Sequence, residues 1–326
     1  MAVRVAVDAL GGDRAPDEIV AGALDVASPE IQPVLFGPAD LDTHGLEHVV
    51  TIDAVEMDDK PAEAVRGKPD SSLVRSARAV GDGVADAVVS AGNTGAMLAA
   101  SLLHVRRLPG VLRPAIGVVL PTRVGASVLL DAGANADARP EHLVQFAHMG
   151  SVFAAEMLES AEPTVRLLSI GEEAEKGNQL TLEAHRLLLG EPGLRFEGNT
   201  EGRTLLEGDT DVVVTDGFTG NVALKTLEGT IASVLGALRC EIEGSTRGKI
   251  GGALIRPATR TLRSRLDPET HGGAYLLGLR GIVVISHGSS SRRAVANAIR
   301  LAARGVEHDV VGRLAARLPQ RTPSTS

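Results

Sequence analysis

Tryptophan is absent from this 326-residue chain, and one tyrosine and five phenylalanines are its only aromatics. Stacking platforms for single-stranded nucleic acid are therefore missing, and the core must be mostly Ala, Val and Leu. A single cysteine, Cys240, rules out an internal disulfide and any cysteine-based metal cluster, which fits a reducing compartment. No run of about 18 apolar residues occurs, so no segment reads as a membrane span. The opening Met-Ala-Val-Arg-Val-Ala-Val-Asp reads as a first strand rather than a signal peptide. Together these features point to a cytoplasmic protein. The net charge of −8 argues against a general nucleic-acid binder. GxSxG, Walker, HExxH and CxxC motifs are all missing, so covalent catalysis has no obvious candidate residue.

Glycine is plentiful at 37 residues, and much of it follows short β-branched runs. Asp211-Val-Val-Val-Thr-Asp-Gly-Phe-Thr-Gly-Asn221 ends such a run in small polar residues, with a helical pattern directly after it. Ala87-Val-Val-Ser-Ala-Gly-Asn-Thr-Gly95 and Val128-Leu-Leu-Asp-Ala-Gly-Ala-Asn135 share that design. In a parallel α/β sheet such loops lie at the carboxyl ends of strands, where ligands bind, and their N–H groups suit an anion such as phosphate. Strands are predicted at 3–8, 33–37, 85–90, 115–120, 127–131, 165–170, 211–215 and 281–286. Helical patterns at 19–27, 72–80 and 142–158 alternate with them. This is an α/β chain with a mainly parallel sheet. The short turn between 115–120 and 127–131 predicts a local antiparallel hairpin. One domain is expected over 1–318, with a disordered tail over 319–326.

Each candidate site residue has a plainer alternative. In Asp8-Ala-Leu-Gly-Gly-Asp-Arg-Ala-Pro16, Gly11 and Gly12 would offer N–H groups to an anion, with Asp8 and Asp13 holding the loop. The alternative is a tight turn capped by an acidic residue. Gly92, Asn93 and Thr94 offer donors, or Asn93 or Thr94 simply caps the next helix. Asp131, Asn135 and Asp137 exceed the needs of one cap, yet no histidine or third carboxylate accompanies them at metal-ligand spacing. Lys176, between three glutamates and Asn178, is either a surface ion pair or a point charge for a transferring phosphate. Asn221 is a neutral donor suited to an oxyanion, or the N-cap of a helix beginning at Val222. His287, among Ser and Arg residues, is either structural or part of the site.

Residues 239–265 carry seven basic side chains against Glu241 and Glu243. Apolar Ile250, Leu254 and Ile255 lie among them. Three readings are open: a solvated helical excursion spanning about 239–270, a dimer contact, or a peripheral membrane contact through an apolar tip ringed by arginines.

In this order the motifs resemble the bacterial phosphate acyltransferases of phospholipid synthesis, the PlsX family. The matching stretches include residues 8–16, Met57-Asp-Asp-Lys-Pro61, Asp70-Ser-Ser72, residues 89–96, 131–137, 140–146, 170–178, 198–202, 215–229 and 272–291. Arg14 stands where that family usually has His, and Ala132 where it usually has Val. The resemblance implies a Rossmann-like three-layer fold related to phosphate acetyltransferase and isopropylmalate dehydrogenase, and a homodimer. It implies transfer of a long acyl chain from acyl carrier protein to inorganic phosphate, with no cofactor or metal. The acyl phosphate would pass to a membrane glycerol-3-phosphate acyltransferase. It also implies peripheral association with the inner face of the plasma membrane, with Leu254 and Ile255 as the contact.

For that chemistry, bound phosphate attacks an already activated thioester, so positioning and oxyanion stabilisation remain to be supplied. Lys176 is expected to hold the phosphate and Asn221 to donate to the oxyanion. Asp8, Gly11, Gly12, Gly92, Asn93, Thr94, Asn135, Asn178 and His287 form the expected substrate-binding set. The competing readings are a CoA-dependent phosphotransacetylase, a metal-assisted NAD-dependent hydroxy-acid dehydrogenase, and a non-enzymatic scaffold at the membrane.

Overall fold

The computed structural model describes residues 2–270 and 272–318; the expected tail, 319–326, lies outside them. Eleven strands form one sheet: β1 (Val3–Asp8), β2 (Ile31–Gly37), β3 (Glu47–Val50), β4 (Ala87–Ser90), β5 (Ala115–Pro121), β6 (Ala126–Leu130), β7 (Thr164–Ser169), β8 (Arg195–Glu201), β9 (Val212–Val214), β10 (Ala274–Leu277) and β11 (Ile282–Ile285). Ten α-helices accompany them: α1 (Asp17–Leu24), α2 (Pro61–Gly67), α3 (Ser72–Gly81), α4 (Thr94–His104), α5 (Pro140–Met157), α6 (Gln179–Leu189), α7 (Gly217–Glu243), α8 (Thr246–Leu266), α9 (Arg292–Glu307) and α10 (Val310–Arg317).

Strand side chains alternate between two apolar layers, as a period of two requires. Val5 and Val7, Val128 and Leu130, Val212 and Val214 pack into one layer with α1, α5, α6, α9 and α10. Ala6, Leu129, Val213 and Val283 face the other, against α2, α3 and α4. Helices thus cover both faces, giving the expected three layers. The few aromatics are placed where they count: Phe153 meets Tyr275 edge-on at 4.9 Å, and the Tyr275 hydroxyl donates to the Leu301 carbonyl.

Strand order is β3-β2-β1-β4-β11-β10-β5-β6-β9-β7-β8. All eight predicted strands are present, and the predicted 115–131 hairpin is antiparallel, with Gly117 opposite Leu130. Two further reversals flank β10, which runs against both β11 and β5. The block β3-β2-β1-β4-β11 therefore runs one way, and β6-β9-β7-β8 runs the other. Their carboxyl ends open at opposite edges of one continuous sheet. The three similar loops therefore do not all lie at one edge. The 87–95 loop leaves one edge, while the 128–135 and 211–221 loops leave the other.

The expected excursion near 239–270 begins earlier and is a helical hairpin. Helices α7 and α8 run antiparallel about the turn at Gly244 and Ser245, and Ser245 caps α8 by accepting from the Gly248 N–H at 2.9 Å. Gly252 lies against Ile242, where a larger side chain would collide. Arg265 ties the base to the main body through the carbonyls of Thr122 and Arg123 at 3.1 and 3.0 Å. Leu254 and Ile255 lie along α8 rather than at the turn. None of α8's described side chains is buried, and only Gly217 and Gly220 are buried in α7.

Candidate active site

At the edge formed by β6, β9 and β7, a buried carboxylate organises the backbone. Asp131 accepts at Oδ1 from the N–H groups of Ile116, Gly133 and Ala134, at 2.9, 3.1 and 2.9 Å. Its Oδ2 accepts from the Asn135 N–H and from Asn135 Nδ2, both at 2.8 Å. Asn135 also donates to the Pro114 carbonyl at 2.8 Å. With its lone pairs spent on the loop, Asp131 serves as scaffold, and charge-assisted bonds of this kind are the strong ones.

Helix α7 starts against this loop. Asp216 is its N-cap and accepts from the Thr219 N–H at 2.9 Å. Asn221 is therefore not the cap of a helix beginning at Val222; it stands in the second turn, since regular helical backbone already begins at Gly217. Gly217 donates to the Asn135 carbonyl at 2.8 Å. A Cβ at Gly217 would lie 2.7 Å from the Asn135 nitrogen, and one at Gly220 would collide with the Asp131 backbone. These two glycines allow the helix to seat closely enough to present Asn221. The Asn221 side chain makes no hydrogen bond within the described residues and is exposed. Its Oδ1 lies 3.6 Å from where a Cβ of Gly133 would stand, and Gly133 has φ +145°. A Cβ at Gly133 would stand in ordinary contact with the Asn221 side chain, so the bare glycine leaves that amide less crowded.

Lys176 follows β7 on the neighbouring strand at the same edge. Its backbone is fixed at both ends: its N–H donates to the Glu173 carbonyl at 3.0 Å, and its carbonyl accepts from Ser169 Oγ at 2.8 Å. Among the described residues its ammonium forms no ion pair, although Glu172, Glu173 and Glu175 precede it. The surface ion-pair alternative therefore finds no partner. Asn178 does act as a cap, accepting from the Thr181 N–H at 2.9 Å at the start of α6. A hollow of about 340 Å³ lined by Glu172, Glu173, Glu201 and Arg203 adjoins this loop. Its carboxylates are unfavourable to an anion, which makes the free ammonium the attractive point on this side.

At the opposite edge, the first loop and the serine-rich loops pack on one another. Ser90 Oγ donates to Asp8 Oδ2 at 2.7 Å and accepts from the Gly92 N–H at 3.0 Å. Asp8 is fully buried, its Oδ1 has no hydrogen-bond partner, and burial raises its pKa. Gly11 lies so close to Asp8 and Gly92 that a Cβ would collide, and Gly12 (φ +109°) abuts the Gly288 and Ala91 carbonyls. Asn93 caps α4 through the Ala96 N–H at 3.0 Å, and its Nδ2 donates to the carbonyls of Met57 and Asp59, each at 3.0 Å. Thr94 is exposed at the start of α4. His287 is exposed and within 2.8 Å of Ser289 Oγ. Asp8, Gly11, Gly12, Gly92, Asn93, Thr94 and His287 thus gather at one edge, and Asn135, Lys176, Asn178 and Asn221 at the other. Gly133, Gly217 and Gly220 shape the second group and were not singled out from sequence; the signal was their position between Asp131 and Asn221.

No metal-ligating group of three His, Cys, Asp or Glu residues occurs among the described residues. Residues 3–313 match a family described as "Fatty acid synthesis protein". A phosphate acyltransferase from Thermosynechococcus vestitus is 49% identical, over 96% of this chain and 94% of its own. One from Staphylococcus aureus is 45% identical, over 95% and 96%. Among solved structures, a phosphotransacetylase from Streptococcus pyogenes superposes over 94% of each chain with a TM-score of 0.63 at 19% identity. The EutD phosphotransacetylase from Staphylococcus aureus does so over 94% of each with a TM-score of 0.60 at 16% identity. These two likenesses show a shared α/β architecture.

Proposed function

Because the chain belongs to the phosphate acyltransferase family, and is thus an enzyme passing acyl groups to phosphate in lipid synthesis, we propose a specific donor and site. The donor is a long-chain acyl group on acyl carrier protein, and the acceptor is inorganic phosphate. A phosphate oxygen attacks the thioester carbon, the C–S bond breaks, and the carrier leaves as its thiolate, which takes a proton from solvent. The product is an acyl phosphate. Phosphate is already anionic at neutral pH, so it needs holding rather than deprotonation.

The observation that carries this reading is the unpartnered Asn221 amide beside bare Gly133, on the same edge as the free Lys176 ammonium. Asn221 Nδ2 donates to the oxygen of the tetrahedral intermediate. Lys176 holds the phosphate and offsets its charge as the second negative centre develops. The direct test is palmitoyl-carrier protein with titrated phosphate, following free carrier thiol and trapping acyl phosphate with hydroxylamine. Phosphate-dependent thiol release with trapped product is expected. Turnover with acyl-CoA alone would replace this reading by a phosphotransacetylase.

The chain is further proposed to be a homodimer in peripheral contact with anionic lipid. The support is α8, which carries six basic residues and no acidic one. Leu254 on the same helix is 78% exposed and Ile255 46%. No helix among the described residues is long and apolar enough to cross a membrane.

A further inference from the structure

Beside the Asp131 loop lies a lip of arginines drawn from three separate stretches of chain. Arg107 donates through one guanidinium nitrogen to the carbonyls of Val111, at 3.1 Å, and Leu112. Arg280 Nε donates to the Arg107 carbonyl at 3.1 Å, and its N–H to the Arg106 carbonyl at 2.9 Å. Arg113 follows Leu112 and precedes Pro114, whose carbonyl is bonded to Asn135. Arg113 and Arg139 both bear on His142, whose pKa is lowered first by burial and then by these two charges. All five arginines are exposed.

Among the described residues, none of the five forms an ion pair. The acidic groups nearest in sequence are Asp137 and Glu141 beside Arg139, and from residue 105 to residue 113 there is none. Leu112, 41% exposed, lies in their midst. Arg107 and Arg280 spend donors on loop carbonyls, whereas Arg113 and Arg139 keep their charges without an ion-pair partner among the described residues. In a chain of net charge −8, they form a local field that attracts a negative partner and orients it. An exposed leucine framed by arginines is the composition of a protein-docking centre. The five arginines come from three separate stretches of chain, so they suit an extended acidic face rather than one small anion. The lip adjoins the edge where the acyl group must be delivered.

We propose that this lip docks an acidic face of the protein that carries the acyl thioester, with Arg113 and Arg139 making the charge contacts nearest the reaction edge. This rests on the carrier-borne donor of the preceding reading. The test is the double variant Arg113→Glu/Arg139→Glu, assayed with palmitoyl-carrier protein and, separately, with palmitoyl-pantetheine, which has no protein part. The KM for the carrier-borne donor should rise about tenfold or more, with kcat and the phosphate KM within about twofold. Turnover of palmitoyl-pantetheine should be unchanged, and Arg113→Lys/Arg139→Lys should keep most of the carrier affinity. The dependence of kcat/KM on salt should become shallower in the charge-reversed variant. An unchanged carrier KM overturns the inference. So does an equal loss with palmitoyl-pantetheine, which would mean damage to the site, or a loss confined to binding of anionic phosphatidylglycerol vesicles, which would assign the lip to lipid. Failure of the unaltered enzyme to use the carrier at all, with acyl-CoA active, sinks the donor reading and this inference with it.

Discussion

The roles proposed for Asn221 and Lys176 rest on side chains left without partners among the described residues, and that makes their replacement informative. Asn221→Ala removes a free amide from an exposed second-turn position, so the fold should persist while turnover falls by about 10²–10³. Circular dichroism alongside single-turnover kinetics would separate the two, and a variant retaining most of its turnover would remove Asn221 from the mechanism. For Lys176→Ala, the phosphate KM should rise if the ammonium is the point charge that holds the anion, as proposed; an unchanged phosphate dependence would count against it. Asp8 predicts a pH effect of definite sign. Burial raises its pKa above the ordinary 3.8, so the folded chain keeps a proton that the unfolded chain releases. Stability from this source is full below 3.8 and is lost as pH rises through the window up to the raised folded value. Asp8→Asn should flatten that dependence in urea unfolding measured from about pH 4 to pH 7; coincident profiles for the two proteins would show that Asp8 ionises freely when folded. The candidate residues could be named from the sequence, but their hydrogen-bond partners could not. Asn178 and Asn93 proved to be caps, while Asn221 proved free, because the start of α7 is fixed by Gly217 and Gly220 closing on Asp131, a contact made across the sheet.

The α7–α8 hairpin leaves the three layers only after its first turns, where Ala223, Leu224 and Leu227 pack on the layer that holds α2, α3 and α4. At 1.5 Å per residue its helices extend about 40 and 30 Å, and beyond those turns most of their side chains are exposed. Helices of that length gain most of their stability in water from packing an apolar face, which the proposed lipid contact would supply for the exposed part of this pair. Leu254→Glu places a charge amid exposed apolar side chains without touching the core. It should release the protein from vesicles containing anionic lipid and leave turnover of soluble acyl-carrier intact; undiminished vesicle sedimentation would return the helix to a solvated or dimer role. The sequence announced this element through charge, since arginines stand out in an acidic chain. Its true start was hidden, because the first turns of α7 do cover the sheet, with Leu224 and Leu227 packed on it, before the helix leaves the body. Among strands, the long β-branched runs were visible, while β3, β8 and β10 were not. Arg195–Glu201 and Glu47–Val50 carry polar and charged residues at the sheet's outer positions, where alternation fades, and Ala274–Leu277 is a bare apolar run too short to distinguish from a helix turn.

The two parallel blocks share one unbroken sheet, joined through backbone hydrogen bonds of β10 to β11 and β5. Leu277 also shares an apolar layer with Val7 from one block and Val214 from the other. Heating should therefore unfold both blocks together. Calorimetry is expected to give one transition, and two resolved transitions would instead divide the 1–318 domain at β10. The α/β class was readable from alternating strands and helices, and the three layers from the family resemblance, but the reversal was not, because direction within a sheet depends on pairings far apart in the chain. Strand β11 ends at residue 285, yet it lies beside β4, which ends at residue 90. While the chain is being synthesised, the early block must wait with its β4 edge uncovered until nearly all of the polypeptide has left the ribosome. A message truncated before the codon for Ala274 would yield two half-sheets with open edges, which are templates for aggregation. Closure of the early block thus depends on a strand synthesised long after β4 itself.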